Sequence, residues 1–120
     1  MNKLFTMFLP ICLLAAVTHA ASSELQAEIQ FLTNKVQTSP CQFIRNGDKH
    51  SGVDAAEHML SKYDYFADEI HTAEDFIRKA ASKSTLTGKP YEVKCSNSHI
   101  TSQQWLQRHL EDFRQAHSQQ

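Results

Sequence analysis

Two five-residue stretches, CQFIR (41–45) and YEVKC (91–95), constrain this chain more than anything else in it. Each carries one cysteine and reads as a short strand. Asn46-Gly47 follows the first as a turn, and Thr87-Gly88-Lys89-Pro90 leads into the second. If Cys41 lies opposite Cys95, antiparallel pairing sets Phe43 opposite Val93 and Arg45 opposite Tyr91. Cys, Phe and Val then share one face, as a core face should. The cysteines and the hydrophobic pattern therefore choose the same register. A disulfide closing a loop of this length stabilises the fold by about 4 kcal/mol in the chain-entropy model.

A disulfide needs an oxidising compartment, and the first twenty residues point to one. Asn2-Lys3 gives a short positive start. Leu4 to Val17 is apolar apart from Thr6 and Pro10, and Thr18-His19-Ala20 offers small residues for a signal peptidase. This is the pattern of a secretory signal peptide over 1–20, too short for a comfortable membrane span. Cys12 sits inside the run, after Pro10-Ile11, rather than after a small residue at its end. A lipoprotein anchor is therefore set aside, and cleavage after Ala20 removes Cys12 altogether. The two remaining cysteines, with no CxxC and no third thiol, favour a structural disulfide over redox or zinc–thiolate chemistry.

The expected mature chain, 21–120, is long enough for one small α-rich domain with one modest core. Removing Lys3 leaves 11 Lys and Arg against 13 Asp and Glu, a net charge of −2 with histidines neutral. No basic excess attracts nucleic acid, and no polybasic run suits a membrane surface. The expected partners are thus an envelope protein or a small anionic ligand.

Period and caps predict four helices. S-E-L-Q at Ser23 reads as a capping box ahead of Leu25, Ile29, Leu32 and Val36, and Ser39-Pro40 ends that helix. Ser51 caps a second helix, from about Val53 to Tyr65 or beyond. T-A-E-D at Thr72 begins a third, with Ala73, Phe76, Ile77, Ala80 and Ala81 as its apolar stripe. T-S-Q-Q at Thr101 begins the fourth, with Trp105, Leu106, His109, Leu110 and Phe113. The expected fold is mainly α: four helices, a two-stranded antiparallel ribbon and one disulfide.

HSGVDAAEHMLSK (50–62) places His50, Asp54, His58 and Lys62 at four-residue intervals. On a helical wheel Val53, Ala56, Met59, Leu60, Tyr63, Phe66 and Ala67 gather on one side. Asp54, His58 and Lys62 fall opposite, as a solvated polar face. The Ser51 cap leaves His50 outside the helix and engages the Asp54 carboxylate at its start, so only Asp54 and His58 stay in register. Two ligands without a fixed third make a weak metal signal, and HEXXH is absent. GK at 88–89 lacks the rest of a phosphate loop, and no G-x-S-x-G occurs. Ser82 and Ser84 are expected to satisfy the carbonyl end of the third helix. No metal, cofactor or catalytic residue is assigned.

FIRNGDKH, DAAEHMLSKY, TAEDFIRKAASKSTLTGKPYEV and WLQRHL, in that order, resemble the YfeK-like family of small exported bacterial proteins, a domain of unknown function. The resemblance runs from about Phe43 to Leu110. Asp54 stands where the family has Glu, which keeps the cap, and Leu60 where it has Arg, which removes a cation. The resemblance implies periplasmic export and a compact helical domain, but no reaction or substrate. Members can lack the cysteine pair, so the disulfide rests on this sequence alone.

The functional expectation is a non-catalytic periplasmic binding or interaction module. The alternative is a small hydrolase acting on envelope material, using His58 with Asp54 or a serine of 82–84. The strand register also predicts a location. Arg45 opposite Tyr91, with Lys89, Asn46 and His50 nearby and the second helix starting beside them, predicts a weak anion or carboxylate site at Arg45, Asn46, His50, Lys89 and Tyr91.

Overall fold

Local signals set most element boundaries in the computed structural model, which describes residues 3–11 and 18–118, the side chains of 18–22 aside. Helix α1 (Thr18–Gln37) is followed by strands β1 (Gln42–Arg45) and β2 (Asp48–His50). Helix α2 (Gly52–Tyr65), a 3-10 turn (Ala67–Glu69) and helix α3 (Ala73–Ala80) come next. Strands β3 (Glu92–Lys94) and β4 (His99–Thr101) then lead into helix α4 (Ser102–Ser118). Among the described residues no helix is long and apolar enough to cross a membrane.

The expected leader falls partly outside the described residues, at 1–2 and 12–17. Residues 3–11 form no helix or strand, and Leu4, Phe5, Met7, Phe8, Leu9 and Ile11 are exposed. Helix α1 begins at Thr18, so Ser23 lies inside the helix and not at its N-cap. Nothing in Thr18-His-Ala-Ala-Ser breaks a helix, and alanine propagates one, so the turn continues upstream of the Ser23 signal.

The other caps are local and form. The Thr72 hydroxyl accepts from the Asp75 amide, and the Asp75 carboxylate accepts from the Thr72 amide. Thr101 and Gln104 make the same reciprocal pair at the start of α4. Ser51 accepts from the Asp54 amide at 3.2 Å, but the Asp54 carboxylate, expected to be engaged at the helix start, makes no return hydrogen bond there.

The sheet has four antiparallel strands in the order β2-β1-β3-β4, not the two expected. The central pair has the predicted register, with Phe43 opposite Val93, and Cys41–Cys95 is a disulfide with Cα atoms 4.5 Å apart. The additional strands are its edges. Asn46 (φ 50°) and Gly47 (φ 83°) both occupy the left-handed region that a two-residue hairpin turn of type I′ requires. That turn folds Asp48–His50 back along β1, pairing Arg45 with Asp48 and Phe43 with His50. A turn closed by the Cys95 amide on the Ser98 carbonyl (2.8 Å) folds β4 onto β3.

The buried core joins Ile29, Leu32 and Val36 of α1 to Ala55, Ala56 and Met59 of α2. Phe76 and Ile77 of α3, Leu106 and Leu110 of α4, and Phe43 and Val93 of the sheet also belong to it. Trp105 packs edge-on against Phe43, with ring centroids 5.7 Å apart. Arg114 of α4 ties three helices together, donating to Glu28 of α1 (2.6 and 3.1 Å) and to Glu74 of α3.

Helix α2 is rotated from its expected setting. Val53 and Leu60, expected inside, are 48% and 43% exposed, while Gly52 and Ala55 are buried. Gly52 causes this. A Cβ there would lie 2.2 Å from the Val36 carbonyl oxygen, so α2 starts in direct contact with the end of α1. With that contact fixed, Ala55, Met59 and Lys62 recur at spacings of four and three. Lys62 therefore belongs to the inward side of the helix.

Candidate functional site

The alternation that turns Cys41 and Phe43 toward the core turns Arg45 the same way. At that end the sheet face runs out of apolar residues, and α2 and the 84–86 loop close over it. The result is an open cleft of about 540 Å³ lined by Arg45, Asn46, Asp48, His50, His58, Ser61, Lys62, Tyr65, Phe66, Ser84, Thr85, Leu86 and Tyr91.

Four of the five residues predicted for the anion site, Arg45, Asn46, His50 and Tyr91, line this cleft together. Lys89 does not line it, and neither does the start of α2, which packs against α1. The predicted solvated face divides. Asp54 is exposed, whereas His58 and Lys62 are partly buried and enter the cleft. Sequence reasoning placed those two on the wrong side, because it averaged the apolar stripe and gave no weight to the close approach at Gly52. The hairpin was more accessible. Asn-Gly is a strong turn signal, although Asp-Lys-His lacks the apolar alternation that marks a returning strand; folding it back along β1 sets His50 beside Phe43.

The polar contacts fall into three groups around the cleft. Arg45 Nη2 donates to His50 Nε2 at 3.4 Å. Lys62 Nζ donates to the Lys83 carbonyl (2.8 Å) and to Tyr91 Oη (3.4 Å). His58 Nε2 lies 3.2 Å from the same Tyr91 oxygen. Lys62 can only donate, so the Tyr91 hydroxyl proton is free to go to Nε2 of a neutral His58. Asn46 holds the opposite wall. Its carbonyl accepts from Thr87 Oγ1 at 2.7 Å and its amide donates to Ser84 Oγ at 3.4 Å.

Charge here is not compensated. Arg45 Nη1 is fully buried and has no hydrogen-bond partner. Among the described residues no carboxylate lies within ion-pairing distance of Arg45 or Lys62. Asp48 contributes a carboxylate to the wall, but it pairs with neither. The pKa shifts follow from this surplus and from burial. Burial, then the charges of Arg45, Lys62 and His50, pushes His58 down to about 4. Burial, with Arg45 and Lys83, lowers Lys62. Burial also raises the Tyr91 phenol, against the pull of Arg45. Like charges and desolvation thus act together against further positive charge.

The serines named for the alternative chemistry are otherwise engaged. Ser82 Oγ donates to the Ile77 carbonyl, as expected for the end of α3. Ser84 does not do so; its hydroxyl accepts from the Thr87 amide and from Asn46. Among the described residues no group of three or more His, Cys, Asp or Glu side chains could hold a metal ion.

Fold and site define a small α-helical domain with a four-stranded sheet and a cation-rich cleft at one end of its core. The chain belongs to the family described as "Family of unknown function (DUF5329)", which matches residues 23–114. It is similar to the "Uncharacterized protein YfeK" of Salmonella typhimurium, at 42% identity over 67 residues. That similarity covers 55% of this chain, and the chain spans 56% of the length of that relative. No solved structure matches.

Proposed function

We propose that the protein is an exported, non-catalytic binding module whose cleft takes a small anion at Arg45. One observation carries the binding reading: a buried guanidinium nitrogen without a partner, in a cleft where Lys62 also lacks a carboxylate. A buried donor left unsatisfied costs about 1–3 kcal/mol, more when charged, and an anion seated beside the guanidinium offsets part of that cost through its charge. Export is supported by the apolar run at 4–17, whose described part takes no place in the core, and by a disulfide suited to an oxidising compartment.

Charged hydrogen bonds contribute about 1.5–3 kcal/mol each, so two of them place a bare inorganic anion in the millimolar range. The test uses protein recovered from the envelope, whose intact mass should begin at Ala21. Titration with phosphate and with sulfate should shift amide resonances at 45–50, 58–62 and 84–91, and Arg45→Ala should abolish those shifts. Shifts spread evenly over the surface, or surviving Arg45→Ala, would refute the site.

A further inference from the structure

The far wall of the cleft is unlike its floor. Tyr65, at the end of α2, is 82% exposed, and Leu86, in the loop before β3, is 96% exposed. Single exposed apolar side chains are ordinary on a protein surface. These two, however, line the same cleft as the unpartnered arginine, with Phe66 between floor and rim. Neither is held out loosely. Tyr65 stacks edge-on against Phe66, with centroids 4.8 Å apart. The Leu86 loop is closed on itself by Gly88 N–Ser84 O (2.9 Å) and Ser84 N–Lys89 O (3.0 Å), and tied to the hairpin turn through Thr87 and Asn46. The loop is therefore built to present Leu86 at the mouth. An inorganic ion would occupy the Arg45 end and leave this apolar wall in water, although a cleft of about 540 Å³ falls in the range that holds a drug-sized molecule.

Resting on the reading of Arg45 as an anion seat, we infer that the ligand class is an amphiphilic acid: one acidic head on Arg45 and Lys62, and an apolar body along Phe66, Tyr65 and Leu86. The head alone binds weakly, and the body supplies the remaining affinity by leaving water. Each methylene that becomes fully buried is worth roughly fourfold in affinity.

The probes are acetate, butanoate, hexanoate and octanoate, with octan-1-ol as the headless control and octyl phosphate as the other head, all titrated calorimetrically. Octanoate is expected to bind at least tenfold more tightly than acetate, and octan-1-ol not measurably. Octyl phosphate binding better than inorganic phosphate supports the same conclusion with a different acid. The double variant Tyr65→Ser, Leu86→Ser should lose the dependence on chain length while still binding inorganic phosphate. Equal binding of acetate and octanoate, or octan-1-ol binding as well as octanoate, overturns this inference alone if inorganic phosphate still binds through Arg45. Failure of every anion, phosphate included, overturns the underlying reading as well.

Discussion

Arg114 and Arg45 are the same side chain in opposite circumstances. Arg114 sits between two carboxylates on two other helices, Glu28 and Glu74. Those hydrogen bonds raise its pKa, and the Arg114 hydrogen bond in turn is the main cause lowering Glu74. Arg45 has one contact to the His50 ring nitrogen, a buried donor with no partner, and Lys62 and His58 lining the same cleft. The first arginine is part of how the helices are fastened. The second is a charge that the fold holds without compensation, and a stable fold has no use for one by itself. The difference separates a charge the fold compensates from one it leaves uncompensated, without reference to any relative.

The largest effect should come from breaking the compensated site. Arg114→Ala strands Glu28, whose carboxylate is largely buried, and should destabilise the protein by about 2 kcal/mol, since Arg114 itself is half-exposed. For a domain of this size that lowers Tm by roughly 10 °C. Adding Glu28→Gln should recover part of the loss, and a single variant that melts like the parent would end the comparison. A smaller effect, of opposite sign, is expected at the other arginine. Arg45→Met removes an unpartnered cation from among cations and should leave stability unchanged or raise it by up to about 1 kcal/mol in anion-free buffer. A loss of 2 kcal/mol there would make Arg45 another structural residue.

The smallest effect is a pH dependence. His58 lies at about 4 in the folded protein against an ordinary 6.5, so the folded state binds fewer protons than the unfolded one between those values. Its contribution to stability is therefore full above about pH 6.5, declines as pH falls, and changes no further below about 4. His58 is only partly buried, so solvent screens the shift and by pH 5 the loss should be no more than about 1 kcal/mol. His50 faces it from β2, Lys62 from its own helix and Arg45 from β1. Melting curves of the parent and His58→Gln across pH 7–4 isolate its share, and parallel curves would remove His58 from the charge set. Sulfate should offset the loss, because an anion on Arg45 favours a protonated His58.

What could be read beforehand follows the range of the interactions involved. The caps at Thr72 and Thr101 were readable because both partners lie within three residues. The Phe43–Val93 register was readable because the cysteines and the apolar alternation had to agree. Asp48–His50 and His99–Thr101 carry no alternation that marks a buried face, since edge strands need only one neighbour, and they were missed. Arg45 and Tyr91 came with the register. His58 and Lys62 did not, because the rotation of α2 depends on the contact between Gly52 and the Val36 carbonyl, and no periodicity within α2 contains that contact.

The disulfide has a consequence for how the sheet comes together. β1 with β2 and β3 with β4 are each local hairpins, of a kind that closes in microseconds once its turn is set. Only the pairing of β1 with β3 joins distant parts of the chain, and Cys41–Cys95 lies across that seam and nowhere else. The covalent bond therefore does not hold up either hairpin. It fastens the one pairing in the sheet whose partners stand far apart in sequence, so reduction loosens the tether across Phe43 and Val93 and leaves both hairpin turns untouched.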